Sequence, residues 1–145
     1  MSDSFHFNIT TPERRVFSDT LISLTVPTTE GEITILPGHI SLVSTLVPGV
    51  ITLVKHDGTE DVMAVSGGFI HVNVNGVVIL ADTAERAEEI DEARLIQARA
   101  DAEEAKKRVI SADQEQFADI ASRLAREFAR SKAIRRWRDI KRSDL

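Results

Sequence analysis

Over roughly the first 80 residues apolar and polar positions alternate with a period of two, the spacing of strands whose successive side chains point to opposite faces. Phe5, Phe7 and Ile9 alternate, as do Ile22, Leu24 and Val26, then Ile33 and Ile35, then Ile51 and Leu53. Further on, Ile70, Val72 and Val74 interleave with Phe69, His71 and Asn73, and Val77 to Leu80 reads as a short buried run. Turn signals cut these pieces apart: Pro37-Gly38, Pro48-Gly49, Asp57-Gly58, Gly67-Gly68 and Asn75-Gly76. Asp57-Gly58 and Asn75-Gly76 are hairpin signals of the type I′ kind, which needs positive φ at both central residues. Many short strands at this spacing predict an antiparallel β-sandwich or flattened barrel.

Past Thr83 glycine and proline cease, and alanine with charged residues runs to the end. The period changes to that of a helix. Ile90 and Leu95 flank Asp91 as a hydrophobic staple flanks an N-cap, which predicts a helix start at Asp91. Leu95, Ala98, Ala102, Ala105 and Val109 form one stripe and Phe117, Ala121, Leu124 and Phe128 a second. The break falls at Ser111-Ala112-Asp113. A short connection makes neighbouring helices antiparallel, so the small alanines of the first face the large residues of the second. The expected fold is α+β: a β-sandwich over residues 1–86 and a two-helix hairpin over residues 87–145. About half a dozen large apolar side chains at ~1.5–3 kcal/mol each oppose ordering costs of roughly 1–2 kcal/mol per residue. Such a hairpin is marginal by itself, and is suited to resting on the sandwich in one state and packing elsewhere in another.

Composition narrows the function. The 42% hydrophobic content exceeds that of disordered chains. The longest apolar run, Val77 to Ala81, falls far short of the roughly 20 residues that cross a bilayer as a helix. The start, MSDSFHFN, carries an acid and no base, unlike secretory or mitochondrial leaders. Absence of cysteine excludes disulfides and thiolate chemistry, and fits a reducing compartment. The net charge of −5 is uneven. Nine acids against Arg86, Arg94 and Arg99 lie between Asp82 and Glu104, whereas Arg126 to Leu145 holds eight bases against three acids. A basic end on an acidic protein points to one complementary acidic surface rather than to general nucleic-acid binding.

No catalytic constellation stands out. His6, His39, His56 and His71 are scattered without metal-ligand spacing, and strand or turn positions explain them. Ser66-Gly67-Gly68 lacks the lysine and following helix of a phosphate loop, so a turn explains it better. The acids Glu85, Glu88, Glu89, Asp91 and Glu92 could hold a cation, but acids before a helix also complement its dipole. Arg135-Arg136-Trp137-Arg138 with Lys141 and Arg142 mixes cations with an aromatic, as single-strand binders do, although a protein-docking face is the better reading. No metal and no resident cofactor are expected.

Three stretches together resemble the epsilon subunits of F-type ATP synthases: GEITILPGHISLVSTLVPGVITL (31–53), SGGFIHVNVNGVVILADTAERAEEIDEARL (66–95) and the alanine-rich helical tail. The resemblance implies a non-catalytic rotor subunit, peripheral on the cytoplasmic face of a bacterial plasma membrane. Its sandwich would grip the gamma subunit and stand on the ring of c subunits, with Glu32 and His39 matching ring-facing loops. The hairpin would rise into the head of alpha and beta subunits and block ATP hydrolysis, with Arg123, Arg126, Arg130, Arg135, Arg136 and Arg138 as its cationic contacts. Some family members also bind a regulatory ATP through Ile/Leu-Asp-x-x-Arg-Ala at the start of the first helix. Ile90, Asp91 and Arg94 match that motif, whereas Leu95 stands at its final alanine. Asp91 as a helix cap and Arg94 as its surface partner would need no ligand.

Overall fold

A computed structural model describes residues 3–90, 92–108 and 114–143. The strands are β1 (Phe5–Thr10), β2 (Arg15–Thr28), β3 (Gly31–Ile35), β4 (Leu42–Leu46), β5 (Gly49–Lys55), β6 (Glu60–Val65), β7 (Gly68–Asn73), β8 (Gly76–Ala81) and β9 (Ala84–Arg86). They are ordered β1-β8-β7-β4-β2-β5-β6-β9, with β3 on β2 and β1 also paired to β2. The long β2 serves both layers, its first half pairing β1 and its second half β3 and β5. The ladders are antiparallel apart from β1 and β8, which run parallel. Phe7, Ile9, Leu24, Val26, Ile51, Leu53, Ile70 and Ile79 fill the space between the layers.

Alternation places most of these residues, and its failures have local causes. A bulge between Leu21 and Ser23 inserts one residue, so Leu21 and Leu24 both point inward although three apart. Ile22, which the pattern put on the core face, is only half-buried. Val77 to Leu80 is not a buried run: Val77 and Ile79 face the core, and Leu80 faces out. The two hairpin turns are not type I′ either, because no non-glycine residue has positive φ among the described residues. Side chains replace the backbone geometry. Asp57 Oδ1 accepts the Thr59 N–H at 2.9 Å, and Asn73 Oδ1 accepts the Asn75 N–H at 2.8 Å. The glycine after each turn then takes the positive φ, +89° at Gly58 and +134° at Gly76.

After β9 a single 3-10 turn (Ala87–Glu89) leads to α1 (Glu92–Arg108) and α2 (Gln114–Ser143). Asp91, Val109 and Ser111 to Asp113, where the N-cap, a stripe residue and the break were expected, lie outside the described residues. The helices are antiparallel: Glu92 meets Arg138 and Arg99 meets Ser131. As expected, small residues of α1 face large ones of α2, with Ala102 and Ala105 against Ile120 and Leu124. The second stripe differs from expectation, since Ala121 and Phe128 are exposed and Ile120, Ala133, Ile134 and Ile140 are buried. The reason is that α2 is contacted on two sides. One side takes α1, and the other lies across β5, β6 and the 3-10 turn, where Ala133, Trp137 and Ile140 meet Val50, Val62, Ala64, Ala87 and Ile90. The layers therefore run sandwich, α2, α1.

Candidate functional surfaces and family membership

The two residues expected at ring-facing loops lie in different recesses. His39 closes the turn that begins at Leu36: its N–H donates to the Leu36 carbonyl at 3.1 Å, with Pro37 and Gly38 (φ +80°) between. That is the type II arrangement, in which the third position needs glycine. The His39 Nδ1–H donates to the Ile40 carbonyl at 2.7 Å, which fixes the ring and leaves Nε2 as its outward polar atom. Beside the ring is a cavity of about 470 Å³ at the open end of the sandwich, lined also by His6, Ile35, Val72 and Val77. Glu32 points elsewhere. It lies on β3 and lines a second, polar cleft of about 450 Å³ beneath α2, with Glu60, Lys132 and Arg136.

The six arginines of α2 do not form one face. Arg130 binds Glu85 of β9 at 2.7 Å and Glu127 at 2.9 Å, and Arg138 binds Glu92 at 2.7 Å. Arg126 borders a small recess with Thr83 and Glu85. Arg123, Arg135 and Arg136 are exposed. The aromatic of the basic patch is not free for stacking on bases, because Trp137 packs on the sheet with Lys141 4.5 Å above its ring. Of the three residues matching the ATP motif, Ile90 packs into the same apolar seam, Arg94 is on the exposed side of α1, and Asp91 lies outside the described residues.

The acids around the junction also divide. Glu85 pairs Arg130, Glu88 pairs Arg86, Glu89 pairs Arg14 and Glu92 pairs Arg138. Arginine pairing thus accounts for a cluster that sequence assigned to the helix dipole. Ser66-Gly67-Gly68 and Asp82-Thr83 clasp each other, with Thr83 Oγ1 donating to Ser66 Oγ at 2.6 Å and the Asp82 N–H to the Gly67 carbonyl at 3.0 Å. These motifs join two turns.

Sequence reading missed one surface altogether. The outer side of β4, β7 and β8 carries Val43, Phe69 and Leu80, all more than half exposed. Phe69 stands opposite Leu80 on one side and Thr45 on the other, and Val43 lies diagonal to Phe69, opposite His71, so Phe69 and Leu80 form an exposed apolar pair with Val43 nearby on the same face. Alternation set Phe69 on the outward face but counted Leu80 in a buried run and passed over Val43, and the signal that could have found them was large apolar residues at outward positions of neighbouring strands.

Residues 4–87 match the family model described as "ATP synthase, Delta/Epsilon chain, beta-sandwich domain". The ATP synthase epsilon chain of Nitrosococcus oceani is 40% identical over 141 residues, covering 95% of this chain and 97% of that one. That of Dichelobacter nodosus is 46% identical over 103 residues, 71% of this chain and 72% of the relative. Among solved structures, a chain of the Euglena gracilis mitochondrial ATP synthase (OSCP/F1/c-ring, rotational state 1) aligns with a TM-score of 0.79 and 27% identity, covering 92% of this chain and 83% of that one. A chain of the Tetrahymena thermophila mitochondrial ATP synthase central stalk/c-ring shares the fold, with a TM-score of 0.59 at 17% identity over 90% of this chain and 96% of that one. A sandwich-domain match over most of the β unit and a 40% identical relative along nearly the whole length show that this chain belongs to the ATP synthase epsilon chain family.

Proposed function

We propose that the chain is a rotor subunit in the central stalk of a proton-translocating ATP synthase, peripheral to the membrane on its cytoplasmic face and without chemistry of its own. The observation that carries this reading is the exposed apolar cluster of Phe69 and Leu80 with Val43 beside it. Chains that stay alone rarely leave large contiguous apolar surface in water, and the gamma subunit is the partner that would cover it. The end bearing His39 would then stand on the c ring. Glu32 would be a second ring contact, reached from the β3 side.

The helical arm would regulate hydrolysis by leaving the sandwich and rising among the alpha and beta subunits. Two facts support this. Its hold on the sandwich is a seam of mostly small side chains, with Trp137 and Ile140 the large members from α2. Arg123, Arg135, Arg136 and Arg138 are exposed while the arm is down, and Arg126 and Arg130, which face Glu85 of the sandwich, would join them when it lifts. Charge complementarity would then set how fast the arm docks and in what register. Truncation after Ala87 tests the reading in the assembled enzyme: binding to gamma and proton coupling should persist while ATP hydrolysis rises. Unchanged hydrolysis would exclude the brake, and loss of assembly would move the gamma contact to the arm.

A further inference from the structure

The junction between sandwich and arm contains an ion pair with a buried carboxylate and a guanidinium three-quarters shielded, whose expense calls for a reason. Asp61 on β6 is 3% exposed, and one of its oxygens accepts from Arg86 at 2.8 Å while the other accepts its neighbour's Val62 N–H at 2.9 Å. Arg86 ends β9, lies over the Phe17 ring at 5.6 Å and also reaches Glu88 at 3.0 Å in the following turn. Burial works against its charge, and the carboxylates of Asp61, Glu88 and Glu89 together offset it, holding the guanidinium above its ordinary range. Burying two charges seldom improves on an apolar pair of the same volume, and the best-attested use of such pairs is to fix register. Register is what β9 lacks by itself: it is three residues long and, among the described residues, pairs only β6.

We propose that Arg86 and Asp61 are positioning residues for the arm, which lock β9 and the 3-10 turn onto the sandwich so that the arm pivots beyond Glu89 and nowhere earlier. This rests on the regulatory reading above. Mechanics explains the need. From Arg138, which meets Glu92 next to the pivot, to its far end at Gln114, α2 reaches about 36 Å, so an error of ~10° at the pivot displaces that end by ~6 Å, more than half a helix diameter. With the anchor in place, Ala87 stays with Val62 and Ala64 while Ile90 and all beyond it move.

The test uses Asp61→Leu/Arg86→Met in the whole ATP synthase, because an apolar pair of similar volume keeps the packing and removes the register. The expected result is a chain that melts like the parent and hydrolyses ATP about five-fold faster, approaching the rate of the enzyme truncated after Ala87. Parental inhibition in that variant, with truncation still releasing hydrolysis, would overturn the anchor alone; no release on truncation would overturn the regulatory reading itself. Should the double variant not fold, Asp61→Asn/Arg86→Gln followed by hydrogen exchange on the full chain decides. Protection should fall at Ala84 to Arg86 with β1 and β8 unchanged, and a uniform fall or none counts against the proposal.

Discussion

Gly68 shows how much a single hydrogen atom can decide. Its φ is +135°, and a Cβ there would overlap the Leu80 carbonyl, which pairs from the next strand. Gly68→Ala should therefore cost roughly 2–4 kcal/mol in denaturant melts, whereas Gly38→Ala, with open space around it, meets only the strain of its φ of +80°. Sequence identified Gly67-Gly68 as a turn, but the approach of β8 is a tertiary fact that no local pattern carries. Asp57 is a second case. Hydrogen bonds from the Thr59 side chain and backbone hold its carboxyl below the ordinary value of 3.8. A lowered carboxyl favours the folded state above the unfolded value, and the contribution fades as pH falls through the lower folded value. Thr59→Val removes the side-chain donor, so the mutant should differ least from the parent in the acid and most above about pH 4, as read from melting temperature against pH.

At the scale of elements, α2 explains where helical periodicity served and where it did not. A single apolar stripe describes a helix with one neighbour. A helix between two layers carries two stripes, which overlap on the wheel and blur into neither, so Phe128 was assigned to the seam when it lies at the edge under Arg99, 4.5 Å from its ring centre. The strand pattern failed for a similar reason at Leu21, where a bulge shifts phase without a marker in composition. Alternation and the loss of glycine after Thr83 carried the rest, since burial on one face is what both periods report. The α2 contact can be tested directly. Ala133 is fully buried against the sheet, so Ala133→Glu should push α2 away, shift Trp137 emission to the red and leave the unfolding of the sandwich core nearly unchanged. Emission like the parent's would mean that Trp137 does not report this contact.

For the molecule as a whole, the candidate surfaces were legible to different depths. The basic tail was visible in composition, but that Arg130 turns to Glu85 and Arg138 to Glu92 depends on which way each side of α2 faces. The apolar cluster was not visible, because the exposure of Phe69 is set by neighbours on two other strands. Phe69→Ser should leave the isolated chain folded, since the ring is 56% exposed, and weaken its capture by gamma at least tenfold, a loss of about 1.4 kcal/mol. Equal capture by both would put gamma on another face.

β6 is covered on both sides, with every residue from Asp61 to Val65 shielded from water. Half of that cover belongs to α2, so a chain whose arm has risen carries a greasy strip around Val62 and Ala64 that water now touches. The resting arm thus does a second job in this fold, keeping that strip dry.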